Sequence, residues 1–180
     1  MLSFYLSILD SEQDQSKLER LYLSYKQTMF YVANRILKDN YLAEDAVHQA
    51  FLRIINNLNK IDVIECPKTR GFVVIIVQNT AIDLYNRRKH QNTIPLHEIT
   101  FQACDASDSI LSGEYNELEK KIISLPVQYS SVILLRYSQG YSVAEIADIL
   151  GISQDNVRKR IERGKKKLAQ MLDEEVFPIG

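Results

Sequence analysis

The chain has 180 residues, 46% of them hydrophobic, 25% charged and 9% aromatic, with six Gly, four Pro and two Cys, the mixture of an ordinary globular protein. Collagen-like, low-complexity and rod-like coiled-coil classes are excluded, and the longest apolar run, Phe72 to Val77, falls far short of the roughly 20 residues of a membrane helix. The net charge of −1 is unevenly spread: Arg158 to Lys167 reads RKRIERGKKK, a net of +6, which leaves −7 on all the rest.

Met1 to Asp10 carries no basic flank before its apolar residues, so neither a leader nor membrane insertion is expected, and the chain is assigned to the cytoplasm. Leu18, Leu21, Tyr22, Tyr25, Met29, Val32, Ala33 and Ile36 follow the i, i+3, i+4, i+7 spacing and predict one long amphipathic helix. Lys38-Asp39-Asn40 stops it. Ala43, Ala46, Val47, Ala50, Phe51, Ile54, Ile55 and Leu58 repeat the pattern in a second helix, with Glu44 and Asp45 placed in its first turn, where negative charge is favoured.

Thr69 to Lys89 can be read two ways, because the β-branched run Phe72 to Val77 also suits a short buried strand. The apolar positions continue through Ala81, Ile82, Leu84 and Tyr85 with no Gly or Pro after Gly71, and a helix of about 15 residues explains more of the segment. Gln91 to Ser112 holds Glu98, Asp105 and Asp108, no Lys or Arg, and sparse apolar residues, the composition of a flexible acidic linker. Beyond it Leu118, Ile122 and Leu125 form a short helix face, Pro126 starts a new element, and Val132, Ile133, Leu135 and Tyr137 continue helically to Ser138-Gln139-Gly140. The predicted fold class is all-α: two small helical domains, residues 1–90 and 113–180, joined by a linker over 91–112.

Tyr141 to Leu168 is the most specific segment. Ser142 and Glu145 have the spacing of a capping box, Ile146, Ala147 and Leu150 form the buried face of the helix they open, and Gly151 suits its left-handed end. Ser153 caps the next helix, with Val157, Ile161 and Leu168 facing inward and Arg158, Lys159, Arg160 and Arg163 facing elsewhere. This is a helix-turn-helix pattern whose second helix suits a major groove. Gln154, Asp155 and Asn156 at its start can meet base edges, and the bases that follow can meet phosphates or guanine.

The pattern from Leu125 to Leu168, LP…LLRY…GYS…EIA.ILGIS…V..RI.R..KKL, resembles the fourth conserved region of bacterial RNA polymerase sigma factors. Ala43-Glu-Asp-Ala-Val-His-Gln-Ala-Phe-Leu-Arg53 is similar to the AED-x-V-Q-(E/D)-x-F-L-R segment of the second region, and Asn79-Thr-Ala-Ile-Asp83 with Arg87-Arg88 resembles its N-x-A-x-D…RR helix. With these regions and a short linker, the resemblance is to the extracytoplasmic-function (group 4) type of the sigma-70 family and covers roughly residues 15 to 172.

The resemblance implies two partners, core RNA polymerase and promoter DNA. Asp45, His48, Gln49, Phe51 and Leu52 would dock the polymerase clamp, though Phe51 also suits plain core. Asn79, Asp83, Asn86, Arg87 and Arg88 would bind the −10 element, with Asn79 and Asp83, four residues apart, addressing one extruded base. Asn156, Arg158, Lys159, Arg160, Arg163 and Lys165 would read the −35 duplex. The acidic linker would run through polymerase channels that otherwise hold nucleic acid. Proteins of this type are often held by an anti-sigma factor, although no residue here identifies one. His48 and Gln49 stand where Gln and an acid are usual, and Phe72-Val73-Val74 replaces a common Trp, leaving Phe72 and Tyr85 as stacking candidates.

A stand-alone regulator that binds duplex DNA without polymerase would use the same basic helix but leaves Asn79 to Arg88 without a purpose. An enzyme is disfavoured: Glu44, Asp45 and His48 are the one carboxylate–imidazole cluster, with no second ligand set, no Gly-rich phosphate loop and no activated nucleophile. No cofactor is implied. Cys66 and Cys104 lie far apart without a CxxC or a His pair, so neither a disulfide framework nor a metal site is expected.

Overall fold

The computed structural model describes residues 1–91 and 116–176. The chain forms two compact units, Met1–Leu96 and His97–Gly180. Their dividing point and the predicted linker lie outside the described residues, except for Gln91, which closes a helix.

In the first unit α1 (Leu2–Ser7) precedes α2 (Glu12–Leu37). Ser11 opens α2 by accepting the Asp14 N–H at 3.4 Å, and Glu12 and Asp14 place negative charge at the positive helix end. The stripe read from the sequence is buried from Leu18 to Ala33, with Leu37 rather than the half-exposed Ile36 closing it. Lys38 takes the left-handed conformation (φ 54°) and Asp39 at once caps the next helix, so the stop is a corner of two residues.

That helix, α3, runs Asn40–Ile55 and starts a turn earlier than expected. Asp39 therefore fills the N-terminal acidic role, and Glu44 and Asp45 lie exposed in the second turn. Ala43, Ala46 and Ala50 are fully buried, and their small side chains let α3 lie close to its neighbours. Leu58 falls in a 3-10 turn, Leu58–Lys60, beyond the helix end.

The ambiguous segment is helical throughout: α4 spans Pro67–Gln91, 25 residues, with Pro at its first position where a missing N–H costs nothing. All residues from Phe72 to Ala81 are buried, which explains why the sequence shows a strand-like apolar run instead of a clean stripe. α4 packs on both α2 and α3, which pack on each other, making a three-helix bundle.

In the second unit Asn116 and Glu119 form a reciprocal capping box that opens α5 (Glu117–Ser124). Pro126 precedes α6 (Val127–Ile133), which widens into a π-type turn over Leu134–Ser138, closed by the Gln139 N–H donating to the Leu134 carbonyl at 3.0 Å. Leu118, read from spacing as part of the α5 face, is 49% exposed, and Tyr137 near the end of the π-type turn is 57% exposed. Ile123 is buried beside Ile122 on α5.

α7 (Val143–Leu150) begins with the predicted Ser142–Glu145 capping box and ends at Gly151, whose φ of 67° no side-chain-bearing residue adopts cheaply. α8 (Gln154–Val176) follows, with Ser153 accepting the Asn156 N–H at 3.2 Å. It packs on α5, α6 and α7, and Val157 is fully buried. Ile161 and Leu168 are half-buried, and the close-packed position between them is Gly164. A Cβ built there would lie 2.7 Å from Ile133 Cδ1 and 3.2 Å from Tyr129 Cβ, so α8 meets α6 through a slot without a side chain. The spacing 157, 161, 164, 168 marks this seam in the sequence, yet Gly164 is hidden there by the basic residues around it.

Candidate polymerase and nucleic-acid interfaces

Three groups of side chains were expected to act, and each takes its geometry from one helix.

On α3, Asp45 is exposed and its Oδ2 accepts the Gln49 side-chain N–H at 3.0 Å, one turn on. Leu52 is half-buried on the same helix. Phe51 is fully buried, its ring 5.1 Å from Tyr22 and 5.5 Å from Tyr5, and so belongs to the core instead of a docking face. His48 is occupied from an unexpected side. The Tyr5 hydroxyl and His48 Nδ1 share a hydrogen bond at 2.7 Å, and the rings stack with centroids 5.4 Å apart. Burial, and then the neighbouring Tyr22, push the Tyr5 phenol up to about 12, so it stays protonated. Residues 1–15, whose role the sequence leaves open, thus include a helix pinned against α2 and His48.

On α4 the expected set divides. Asn79 is only 6% exposed and its amide donates to the Ile75 carbonyl at 2.8 Å, one turn back in the same helix. It does not share a solvent face with Asp83. Asp83 is half-exposed and paired with Arg53 of α3 at 3.4 Å, and Arg88 is paired with Asp39 at 3.3 Å. Asn86 and Arg87 face water. The C-terminal part of α4 therefore carries Asp83, Asn86, Arg87 and Arg88 outward and leaves Asn79 inside.

Asp39 joins these pieces. Its Oδ1 accepts the N–H groups of Tyr41 and Leu42 at 3.0 and 3.2 Å, and its Oδ2 accepts from Arg88. These contacts, led by the Leu42 N–H, hold its carboxyl below the usual range. The two ion pairs span 30 and 49 residues, and no local pattern announces them.

On α8, Asn156, Arg158, Lys159, Arg163 and Lys165 are exposed and Arg160 is half-buried. Arg158 donates to Asp155 Oδ1 at 2.8 Å and to Gln154 Oε1 at 3.3 Å, and Arg160 donates to Asn156 Oδ1 at 3.0 Å. The base-reading candidates at the helix start are thereby pre-aligned by the cations one turn on. Such exposed pairs are weak, so a DNA phosphate or base edge can replace them at little cost. Lys165 Nζ lies 4.8 Å from the Tyr137 ring centroid, which gives that exposed aromatic a partner.

Among the described residues no cluster of His, Cys, Asp or Glu is arranged to hold a metal ion, and no helix is long and apolar enough to cross a membrane.

Comparison with known proteins bears on the same segments. The model of sigma-70 region 2 matches residues 21–91, and that of sigma-70 region 4 matches residues 115–168. The chain is 28% identical over 160 residues to the ECF RNA polymerase sigma factor SigW of Bacillus subtilis, a match covering 82% of this chain and 84% of that protein. It is 28% identical over 145 residues to the RNA polymerase sigma factor SigZ of the same organism, covering 79% of each. To its ECF RNA polymerase sigma factor SigX it is 24% identical over 161 residues, covering 85% of this chain and 82% of that one.

Proposed function

Because the chain belongs to the sigma-70 family, within its extracytoplasmic-function type, we propose that its promoter contacts are divided between α4 and α8, and its polymerase contact laid on α3. The protein is a promoter-specificity subunit: it binds core RNA polymerase, recognises promoter DNA and serves transcription initiation.

In this reading residues 1–90 form the −10 and polymerase-binding domain, residues 113–180 the −35 domain, and residues 91–112 the linker. Asp45, Gln49, Leu52 and the Tyr5-held His48 present a mixed polar and apolar strip to the polymerase. Asp83, Asn86, Arg87 and Arg88 meet the opened −10 strand, the arginines at phosphate and the shorter polar groups at bases. Asn79 acts from within, fixing the α4 backbone beneath that face by its bond to Ile75. Asn156, Arg158, Lys159, Arg160, Arg163 and Lys165 enter the −35 major groove. Binding energy does the work, with no turnover of its own, and the site of action is the cytoplasm with the polymerase.

The single observation that carries this reading is the exposed cationic face of α8, set directly after a capped helix and a left-handed Gly151 turn. A stand-alone regulator would use that face equally, but would leave the region 2 match without a purpose.

The test is reconstituted transcription from a promoter library with purified core polymerase, with and without the protein. New start sites sharing two spaced motifs are expected. In that assay Arg158→Ala weakens use of the −35 motif, and Arg87→Ala slows open-complex formation. DNA binding that never alters initiation with core enzyme would overturn the assignment.

A further inference from the structure

Tyr41 belongs to none of the expected sites, yet its side chain is 84% exposed at the corner where α2 turns into α3. The corner is held by backbone bonds. Lys38 holds the left-handed turn, Asp39 caps α3, and the Tyr41 backbone N–H donates to Asp39 Oδ1 at 3.0 Å. The other oxygen of the same carboxylate takes the Arg88 guanidinium of α4 at 3.3 Å. One carboxylate thus ties the residue carrying the bare aromatic ring to a cation of the proposed −10 face, while Lys38 stands exposed three residues before the ring.

Exposed aromatic residues are common singly and need no explanation. This one differs in its company: Lys38 in its own corner, Arg88 tied to that corner, and Arg87 next to Arg88 on α4, all facing water. An exposed aromatic ring on a corner that also carries cations has the composition that binds single-stranded nucleic acid, where bases stack on the ring and phosphates meet the charges. A duplex offers no unpaired base to such a ring, so the opened strand is the fitting ligand.

Resting on the −10 assignment above, we infer that Tyr41 is a stacking platform for an unpaired base of the opened promoter strand, with Lys38 and Arg88 holding the flanking phosphates. The chemistry is tolerant of base identity, since every base has a face to stack, and it adds affinity for the opened state over the duplex. Arg88 exchanges its half-exposed carboxylate partner for a phosphate, while Asp39 keeps its two backbone N–H groups and the corner stays folded.

The experiment uses holoenzyme assembled from core polymerase and the full chain. The probe is a forked promoter whose non-template −10 strand is single-stranded and carries 2-aminopurine at successive positions. Wild-type holoenzyme should quench the probe at one position. Tyr41→Ala should lose that quench and bind the fork roughly tenfold more weakly, while Tyr41→Phe keeps both. Lys38→Gln should lower the salt dependence of fork binding by about one counterion. Binding to −35 duplex and to core polymerase should be unchanged in each variant. Equal fork affinity for Tyr41→Ala and wild type would overturn the inference, as would a Tyr41→Phe loss matching that of Ala, or a Tyr41→Ala defect in core binding. Failure of the wild-type chain to form any promoter complex with core enzyme is a separate result, and removes the −10 reading together with the inference.

Discussion

Replacing Gly164 by Val fills the slot through which α8 meets α6. The first added atom already lies 2.7 Å from Ile133 Cδ1, 3.2 Å from Tyr129 Cβ and 3.5 Å from Ile133 Cγ1. Ile133 is 3% exposed, so its methyl has little room to swing away, and the Tyr129 Cβ is fixed to its backbone. Two opposing effects set the magnitude. Any side chain stiffens the unfolded chain and improves on Gly in a helix, by about 1 kcal/mol for Ala and roughly half that for β-branched Val. Overpacking a tight interior contact costs about 1–3 kcal/mol, and the two Val methyls enter the same slot as the Cβ. The net expectation is a loss of about 1–2 kcal/mol, or roughly 5- to 30-fold in the opening equilibrium of the second unit. Hydrogen exchange of the α6 and α8 amides in the intact chain reads this directly, and those amides should exchange faster by that factor while the α2–α4 amides do not change. The exposed basic side chains are untouched, so −35 duplex affinity well below the melting range should stay as it was. Unchanged or increased protection in α6 and α8 would refute the close approach, because an open helix position would gain from losing its glycine.

Tyr5→Phe removes the hydrogen bond to His48 and keeps the ring stack, and should cost about 1 kcal/mol, seen as faster exchange in α1 and around His48; a null effect would mean that the ring contact alone holds α1. Asp39 has a folded-state pKa below its ordinary 3.8, so its contribution to stability is present above that value and is lost as pH falls through the lower folded value. The stability gap between wild type and Asp39→Asn, measured by chemical denaturation, should therefore hold at about pH 6 and close toward about pH 3, whereas a constant gap would contradict the assigned charge state. Binding of the chain to −35 duplex should weaken steeply with salt, and Arg158→Gln should reduce the slope of log affinity against log salt by about one; an unaltered slope would take Arg158 off the phosphates.

Much of the fold can be read locally, and the reasons are local too. The stripes of α2 and α3 repeat every turn, and the Ser142–Glu145 box and the Gly151 turn act within four or five residues. α4 is harder to read because burial all round erases the polar face that periodicity needs. The candidate sites are legible as residue types but not as environments. Asn79 has the spacing to join Asp83, yet the packing of α4 between its neighbours turns it inward. Arg88 and Asp83 look like free DNA ligands until Asp39 and Arg53, far away in sequence, arrive beside them. Tyr5 gives no signal at all, because α1 is short and its reason for ordering lies on α3.

The burial of α4 also governs how the protein comes into being. In order of synthesis it is the last helix of the first unit to leave the ribosome, and until it emerges the apolar stripes of α2 and α3 lack one of their covers. The three-helix bundle is therefore complete only when nearly all of residues 1–91 are in place. A chain stopped or cut inside Phe72–Ala81 would be an adhesive fragment instead of a smaller working unit, and a ready substrate for proteases.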